Sequence, residues 1–392
     1  MPVLRPSNGD YTAFVKANAT YVAPGSAARS VSRVAQNTFP FSAIGAIARA
    51  SLVAHRSSPS TSVLNLGVAA SVLAIVVAGV AALKGYVTTL LSGINARSIC
   101  GVKTGGFVIG NDAGAYLQYN NGIDSTVVNI AGNGSRVTAN GTGTSAGVYG
   151  PISMAELPNG DIVFLDTGVN GAILRRLNPN GYTTNSGTVS FIAGGITSWN
   201  DGVGAAAGLL QAQRIGVLPN GNVVVCGTNG SSGISYVDLA TSNVVTIASS
   251  QQAYAITGLS DGNIAFSPGQ QIFIASTATY ASNSATVTVL AGNGNNGTQD
   301  GTGTNARFAG VQSMRQRQDG NIVVTDGNRI RLVTYPGGVV STIAGTLTTG
   351  STNAPNGPGT NATFNSPEEL GVLTNGNIVI GERSNNDVRL VT

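Results

Sequence analysis

The chain has 392 residues, 20 Lys and Arg against 16 Asp and Glu, one His, and only 9% charged side chains. That is far below the roughly 25% of ordinary globular domains, so Gly, Asn, Ser and Thr must form a neutral coat. The single His55 and two cysteines, Cys100 and Cys226, exclude a metal–histidine enzyme, a zinc-binding spacing and a disulfide-dense scaffold.

Charge is unevenly placed. Residues 1–84 carry seven basic side chains and Asp10, a net of +6, whereas residues 85–392 carry thirteen basic and fifteen acidic, a net of −2. A domain with that balance lacks the basic face that phosphate binding needs, so no nucleic-acid partner is expected for it.

In chain order, residues 1–62 form a basic region, partly disordered or in short helices. Ser7-Asn8-Gly9-Asp10 is placed to cap a helix through Tyr11–Ala17, Ala28–Val34 suits a second, and Ser57–Ser62 reads as a linker. Residues 63–83, VLNLGVAASVLAIVVAGVAAL, hold no charge. As a helix they would extend roughly 32 Å, the thickness of a bilayer's hydrocarbon core, so a transmembrane helix is expected; the competing reading is a helix buried against protein. Ala70, Ala74, Ala78 and Ala82 make a small-residue stripe along it. The basic tail favours an N-terminus inside, in the cytosol or a virion interior, with the remainder outside or lumenal.

From residue 85 onward the chain repeats itself. Leu157-Pro158-Asn159-Gly160-Asp161-Ile162-Val163 returns as Leu218–Val225, Leu259–Ala265, Gln318–Val323 and Leu373–Val379, with a degenerate copy at Val102–Val108. The shared glycines Gly105, Gly160, Gly221, Gly262, Gly320 and Gly376 lie 55, 61, 41, 58 and 56 residues apart. Each Asn-Gly or Asp-Gly between β-branched runs predicts a hairpin with a two-residue primed turn. A third strand is expected at Ala172–Leu177, Ile234–Val237, Gln271–Ile274, Arg329–Val333 and Val388–Val391. A fourth ends in a small-residue signature at Val127–Gly132, Val189–Gly194, Val244–Ala248, Val287–Gly292 and Val340–Gly345. Four antiparallel strands per repeat make a propeller blade. The sixth repeat stops at its third strand, and Tyr86–Gly93 has the pattern of Val339–Gly345. The expectation is therefore an all-β, six-bladed β-propeller over residues 85–392, closed by an N-terminal strand and preceded by a hydrophobic helix and a basic tail.

With its Ala-Gly ends, glycine-rich loops containing Asp-Gly (Asn200–Gly204, Gln299–Phe308), Pro-x-Gly-Asn hairpins and Arg-bearing strands, this region resembles the NHL-type β-propellers. That resemblance implies the fold but not one activity, since the family includes protein-binding scaffolds, RNA-binding modules and a few enzymes with metal ligands around the central channel.

No catalytic residue, metal ligand or cofactor is expected, and the preferred function is a non-catalytic, membrane-attached structural or interaction protein, with a virion component as one setting. The connectors around Asn133–Gly150, Ser198–Gly208, Asn293–Ala309 and Thr349–Pro367 are the expected protein-binding face, with Asn133, Asn140, Trp199, Asp201, Asn296, Asp300, Arg307 and Asn361 as candidate contacts. Self-assembly or incorporation in a larger particle is a further expectation. The alternative is a calcium-dependent hydrolase or lyase, with Asp166 and Asp326 as oxygen donors; both read more simply as caps of turn amides. Arg331 and Arg389 read as exposed strand residues, Cys100 and Cys226 as buried free thiols. Asn18, Asn133, Asn140, Asn229, Asn296 and Asn361 begin Asn-x-Ser/Thr triplets that accept glycans in a eukaryotic secretory route.

Overall fold

The computed structural model describes residues 86–168, 171–228, 232–346 and 356–392. The expected tail helices, the 63–83 segment and much of the connector from Thr349 lie outside the described residues. Among the described residues no helix is long and apolar enough to cross a membrane.

The repeats fold into six antiparallel sheets of four or five strands, with one further two-stranded pair, Trp199–Asn200 with Gly208–Leu209, so the described region is an all-β, six-bladed propeller. Blade two is typical: innermost strand Pro151–Glu156, then Ile162–Gly168, Gly171–Asn178 and the outer strand Thr188–Gly194. The six innermost strands, Ala96–Gly101, Pro151–Glu156, Ala212–Val217, Ala255–Gly258, Val311–Gln316 and Pro367–Val372, pack each on the next and the sixth on the first. Close approach at this ring requires glycine. A Cβ on Gly101 would stand 2.1 Å from the Val372 carbonyl oxygen.

Closure comes from the chain's start. Tyr86–Ser92 pairs with Asp387–Val391, matching Val87 to Val391 and Thr89 to Arg389, and supplies the outer strand of blade six. This removes a sheet edge that the end of the sixth repeat would otherwise leave open. Apolar side chains from facing sheets fill each of the six interfaces; Val163, Leu165, Ile215 and Val225 join blades two and three, and Leu91, Ile99, Ile109 and Val379 join six and one. Full burial of one such side chain contributes about 1.5–3 kcal/mol.

Two local expectations need correction. The hairpin turns are three-residue loops rather than two-residue primed turns: Gly160 N donates to Leu157 O and Leu157 N to Asp161 O, and only Gly160 in the loop has positive φ, at 88°. In blades two and three Pro158 and Pro219 lack the N–H that the residue before a two-residue loop must donate, and the proline-free loops of blades four, five and six close through the same pair of bonds, Leu259, Arg317 and Leu373 N donating to Asn263, Asn321 and Asn377 O. Four blades also carry a fifth, two-residue outer strand. These strands are Gly141–Thr142, Gly202–Val203, Gly301–Thr302 and Gly357–Pro358, each leading into a single 3-10 turn. The glycine-rich loops are thus edge caps as well as connectors.

Candidate functional site

Three layers of polar chemistry lie inside the ring. The first is at the blade shoulders, where Arg175, Arg331 and Arg389 are 2%, 0% and 0% exposed. This corrects the expectation that the strand arginines face solvent. Each meets an acid at the end of the second strand: Arg175 Nη1 lies 2.7 Å from Asp166 Oδ2, Arg331 Nη1 2.8 Å from Asp326 Oδ2, and Arg389 Nη1 3.1 Å from Glu382 Oε2. An unpaired buried guanidinium would be very costly, so the terminal nitrogens make further bonds, although Arg331 Nε itself has no hydrogen-bond partner. Arg331 donates to the carbonyls of Arg307 and Gln299 and to Asp300 Oδ1, and its guanidinium stacks 4.9 Å from the Phe308 ring centre.

The acids do cap turn amides. Asp166 Oδ1 accepts from Tyr149 N and Gly150 N, and Asp326 Oδ1 from Ala309 N and Gly310 N. Burial pushes the Asp166 and Glu382 carboxyls above the usual range, against the opposing pull of the Gly150 amide and Arg175 on Asp166 and of the Asn365 amide and Arg389 on Glu382.

On the axis, Ser98, Ser153, Arg214, Ala255, Ser313 and Glu369 occupy equivalent places on the six innermost strands, all buried. Glu369 of blade six reaches across the axis: its Oε2 stands 2.9 Å from Arg214 Nε of blade three, although off the line of a hydrogen bond, and its Oε1 2.7 Å from Arg315 of blade five. Arg315 also donates across the axis to Met154 O of blade two, and Ser313 Oγ donates to Glu369 Oε1. Burial raises the Glu369 carboxyl despite Arg315 and Arg214. Two guanidiniums on one carboxylate make a poor cation site, since a metal would face more positive charge than negative. Among the described residues no group of three His, Cys, Asp or Glu is placed to hold a metal.

The third layer is the axial mouth where the innermost strands begin. A cavity of about 550 Å³ opens there, bordered by Arg97, Gln213, Tyr254, Gln312, Glu368 and Arg383 among others. Tyr254 is 46% exposed. Arg97 pairs with Asp112 at 3.3 Å and Arg383 with Glu368 at 3.6 Å. Ala309, Gly310, Ser366 and Pro367, the ends of two connectors, border the same mouth. The opposite mouth, about 430 Å³, is lined by Cys100, Glu156 and Arg315. The thiols of Cys100 and Cys226 are free and buried, and burial pushes both up to about 12.

The eight candidate contacts divide in two. Asp201, Asp300 and Asn140 serve the blades: Thr246 N donates to Asp201, Thr342 N and Arg331 to Asp300, and Arg175 lies 3.4 Å from Asn140 Oδ1. Trp199 is half-buried against the core between blades two and three. Asn133, Asn296, Arg307 and Asn361 are exposed. Asn133 accepts its own turn's Ser135 N, and Asn296 donates to Ala309 O. The sequence reading missed the axial Arg214, Glu369 and Arg315 and the mouth. Their signal was weak, since the partners are far apart in the chain and meet only across the ring.

No family model and no curated protein matches the chain. Solved structures do. An auxiliary nutrient binding protein from Bacteroides ovatus is 15% identical with a TM-score of 0.58, over 78% of this chain and 76% of that one. A putative phosphatase from Bacteroides thetaiotaomicron is 14% identical with a TM-score of 0.54, covering 78% of each chain. A gluconolactonase from Xanthomonas campestris is 9% identical with a TM-score of 0.52, over 80% of this chain and 91% of that one. At such identities the likeness carries the fold alone, and that fold is the β-propeller.

Proposed function

We propose that the protein is a non-catalytic binding scaffold built on an NHL-type propeller, attached to a membrane through residues 63–83 and displaying the ring outside the compartment that holds the basic tail. A virion surface is one such setting. The observation that carries this reading is the state of the axial carboxylate: Glu369 is held between two guanidiniums from other blades. It is therefore committed to bracing rather than free to take a proton from a substrate. What faces solvent at the mouth is binding chemistry instead, with planar amides Gln213 and Gln312, the guanidiniums of Arg97 and Arg383, and the exposed Tyr254 ring. The ends of two connectors, at Ala309 and Pro367, border that mouth. Nutrient binding, the role named for the Bacteroides ovatus propeller, is of the same kind; the Xanthomonas campestris gluconolactonase points to the competing reading, a hydrolase.

The test uses the full chain. Tyr254→Ala and Gln312→Ala should each reduce partner capture from native extract without lowering the melting temperature. Undiminished capture, or lactone or ester turnover that Glu368→Gln abolishes, would overturn the reading.

A further inference from the structure

Every blade carries a valine at the same place on its outer strand: Val87, Val127, Val189, Val244, Val287 and Val340. In the four blades with a fifth strand this valine is 0–2% exposed. In blades one and four, which lack that strand, Val127 and Val287 remain half-buried.

Blade one is partly covered by its neighbour. Asn185 N donates to Asn129 O and Gly187 N to Ile130 O on its outer strand. The same service reaches blade three, where Asn283 N donates to Thr246 O and Ala285 N to Ile247 O. Blade four receives neither: no backbone bond from outside its own sheet reaches Thr286–Leu290 among the described residues. Its connector is also short, since the 41-residue interval between Gly221 and Gly262 has no room for the glycine-rich cap. The edge is neither charged nor interrupted by proline, the usual guards of an open edge. From Asp261 to Asp300 the chain has no charged residue between them, and Thr286, Thr288 and Val289 are exposed.

We infer that the outer strand Thr286–Ala291 of blade four is an interface for a second copy of this chain, pairing edge to edge about a two-fold axis. In the capped blades the amide equivalent to Val289 points outward, as Thr246 N, Thr342 N and Thr89 N donate to Asp201, Asp300 and Asn356 of the cap. By the same register Val287 and Val289 offer their backbone groups outward. An axis through Thr288 therefore lets Val287 exchange bonds with Val289 of the second copy, and sets the two Thr288 residues face to face as a non-hydrogen-bonded pair about 4.5 Å apart at Cα. Like sets against like across this axis, which is tolerable here because the strand is uncharged. Gly338 of blade five rests on the Leu290 carbonyl, which leaves Val287 and Val289 as the open positions; among the described outer strands this one alone receives neither a fifth strand nor a neighbour's backbone amide, so the molecule offers one complementary edge, its own.

A single strand pair makes a weak dimer, so a covalent trap is the right readout. In the full chain, Thr288→Cys under mild oxidation should give a disulfide-linked dimer several-fold above Ser341→Cys, the equivalent exposed position on the capped blade five; the native thiols are buried and do not compete. Adding Val289→Asp should remove the excess while leaving the melting temperature unchanged. Equal cross-linking of Thr288→Cys and Ser341→Cys, or an adduct of Thr288→Cys with a different protein, would overturn the inference.

Discussion

At the residue scale, burial decides chemistry. Cys100 and Cys226 were legible from the sequence as buried thiols because each sits in an apolar strand run. Arg331 and Arg389 were misread for the opposite reason: a charged residue in a strand is normally expected outside, since desolvation outweighs any local gain. The missing signal was in the repeats. An acid at the end of the second strand and an arginine on the third occur together in blades two, five and six, and blade three replaces them with Gly227 and Ser235. The thiols supply a pH test. Their folded values, near 12 for both, lie above the ordinary 9.0, so above pH 9 the unfolded chain releases protons that the fold retains. Stability should accordingly fall as pH rises from 9 toward 12, with each thiol contributing up to about 1.4 kcal/mol per pH unit. Cys226→Ala should flatten that alkaline limb in denaturant titrations, and neither native thiol should react with a disulfide reagent at pH 8. Rapid labelling of the folded protein would contradict the assignment.

Elements were readable where they depend on local pattern. Hairpin glycines, third and fourth strands and the closing strand all follow from alternation and turn residues. The fifth strands were not, because two residues carry no periodicity and their pairing depends on a side chain elsewhere. Asp300 shows this: it receives Thr342 N from the outer strand and Arg331 from the third, tying the cap to the blade. Burial would raise its carboxyl, but the Thr342 amide and the Arg331 guanidinium outweigh that and leave it below the ordinary range. Arg331 is the centre of this tie. Arg331→Met should destabilise by about 3–5 kcal/mol, because Asp326 is left buried without its partner. The pair Asp326→Leu with Arg331→Met should recover part of the loss, and Asp300→Ala, removing a half-exposed acid, should cost about 1 kcal/mol or less. Equal losses in the three variants, measured by denaturant unfolding, would show that the buried pair carries no special weight.

At the scale of the propeller, two devices make the ring one unit: the strand Tyr86–Ser92, which joins the first described residues to the last blade, and the axial bridge from Glu369 to Arg214 and Arg315. The first was legible because a repeat missing its fourth strand must find one. The second was not, since Arg214 and Glu369 are separated by three repeats and share only an equivalent place on opposite innermost strands. A ring braced in this way is a rigid platform for a binding face, and a loose closing strand would remove that rigidity. Hydrogen exchange of the full chain tests the point directly. The amides of Thr88–Leu91 should exchange together with those of Val388–Val391, at the free energy of global unfolding. Early exchange of Thr88–Leu91 while Val388–Val391 and the other blades stay protected would contradict a ring locked by its first strand.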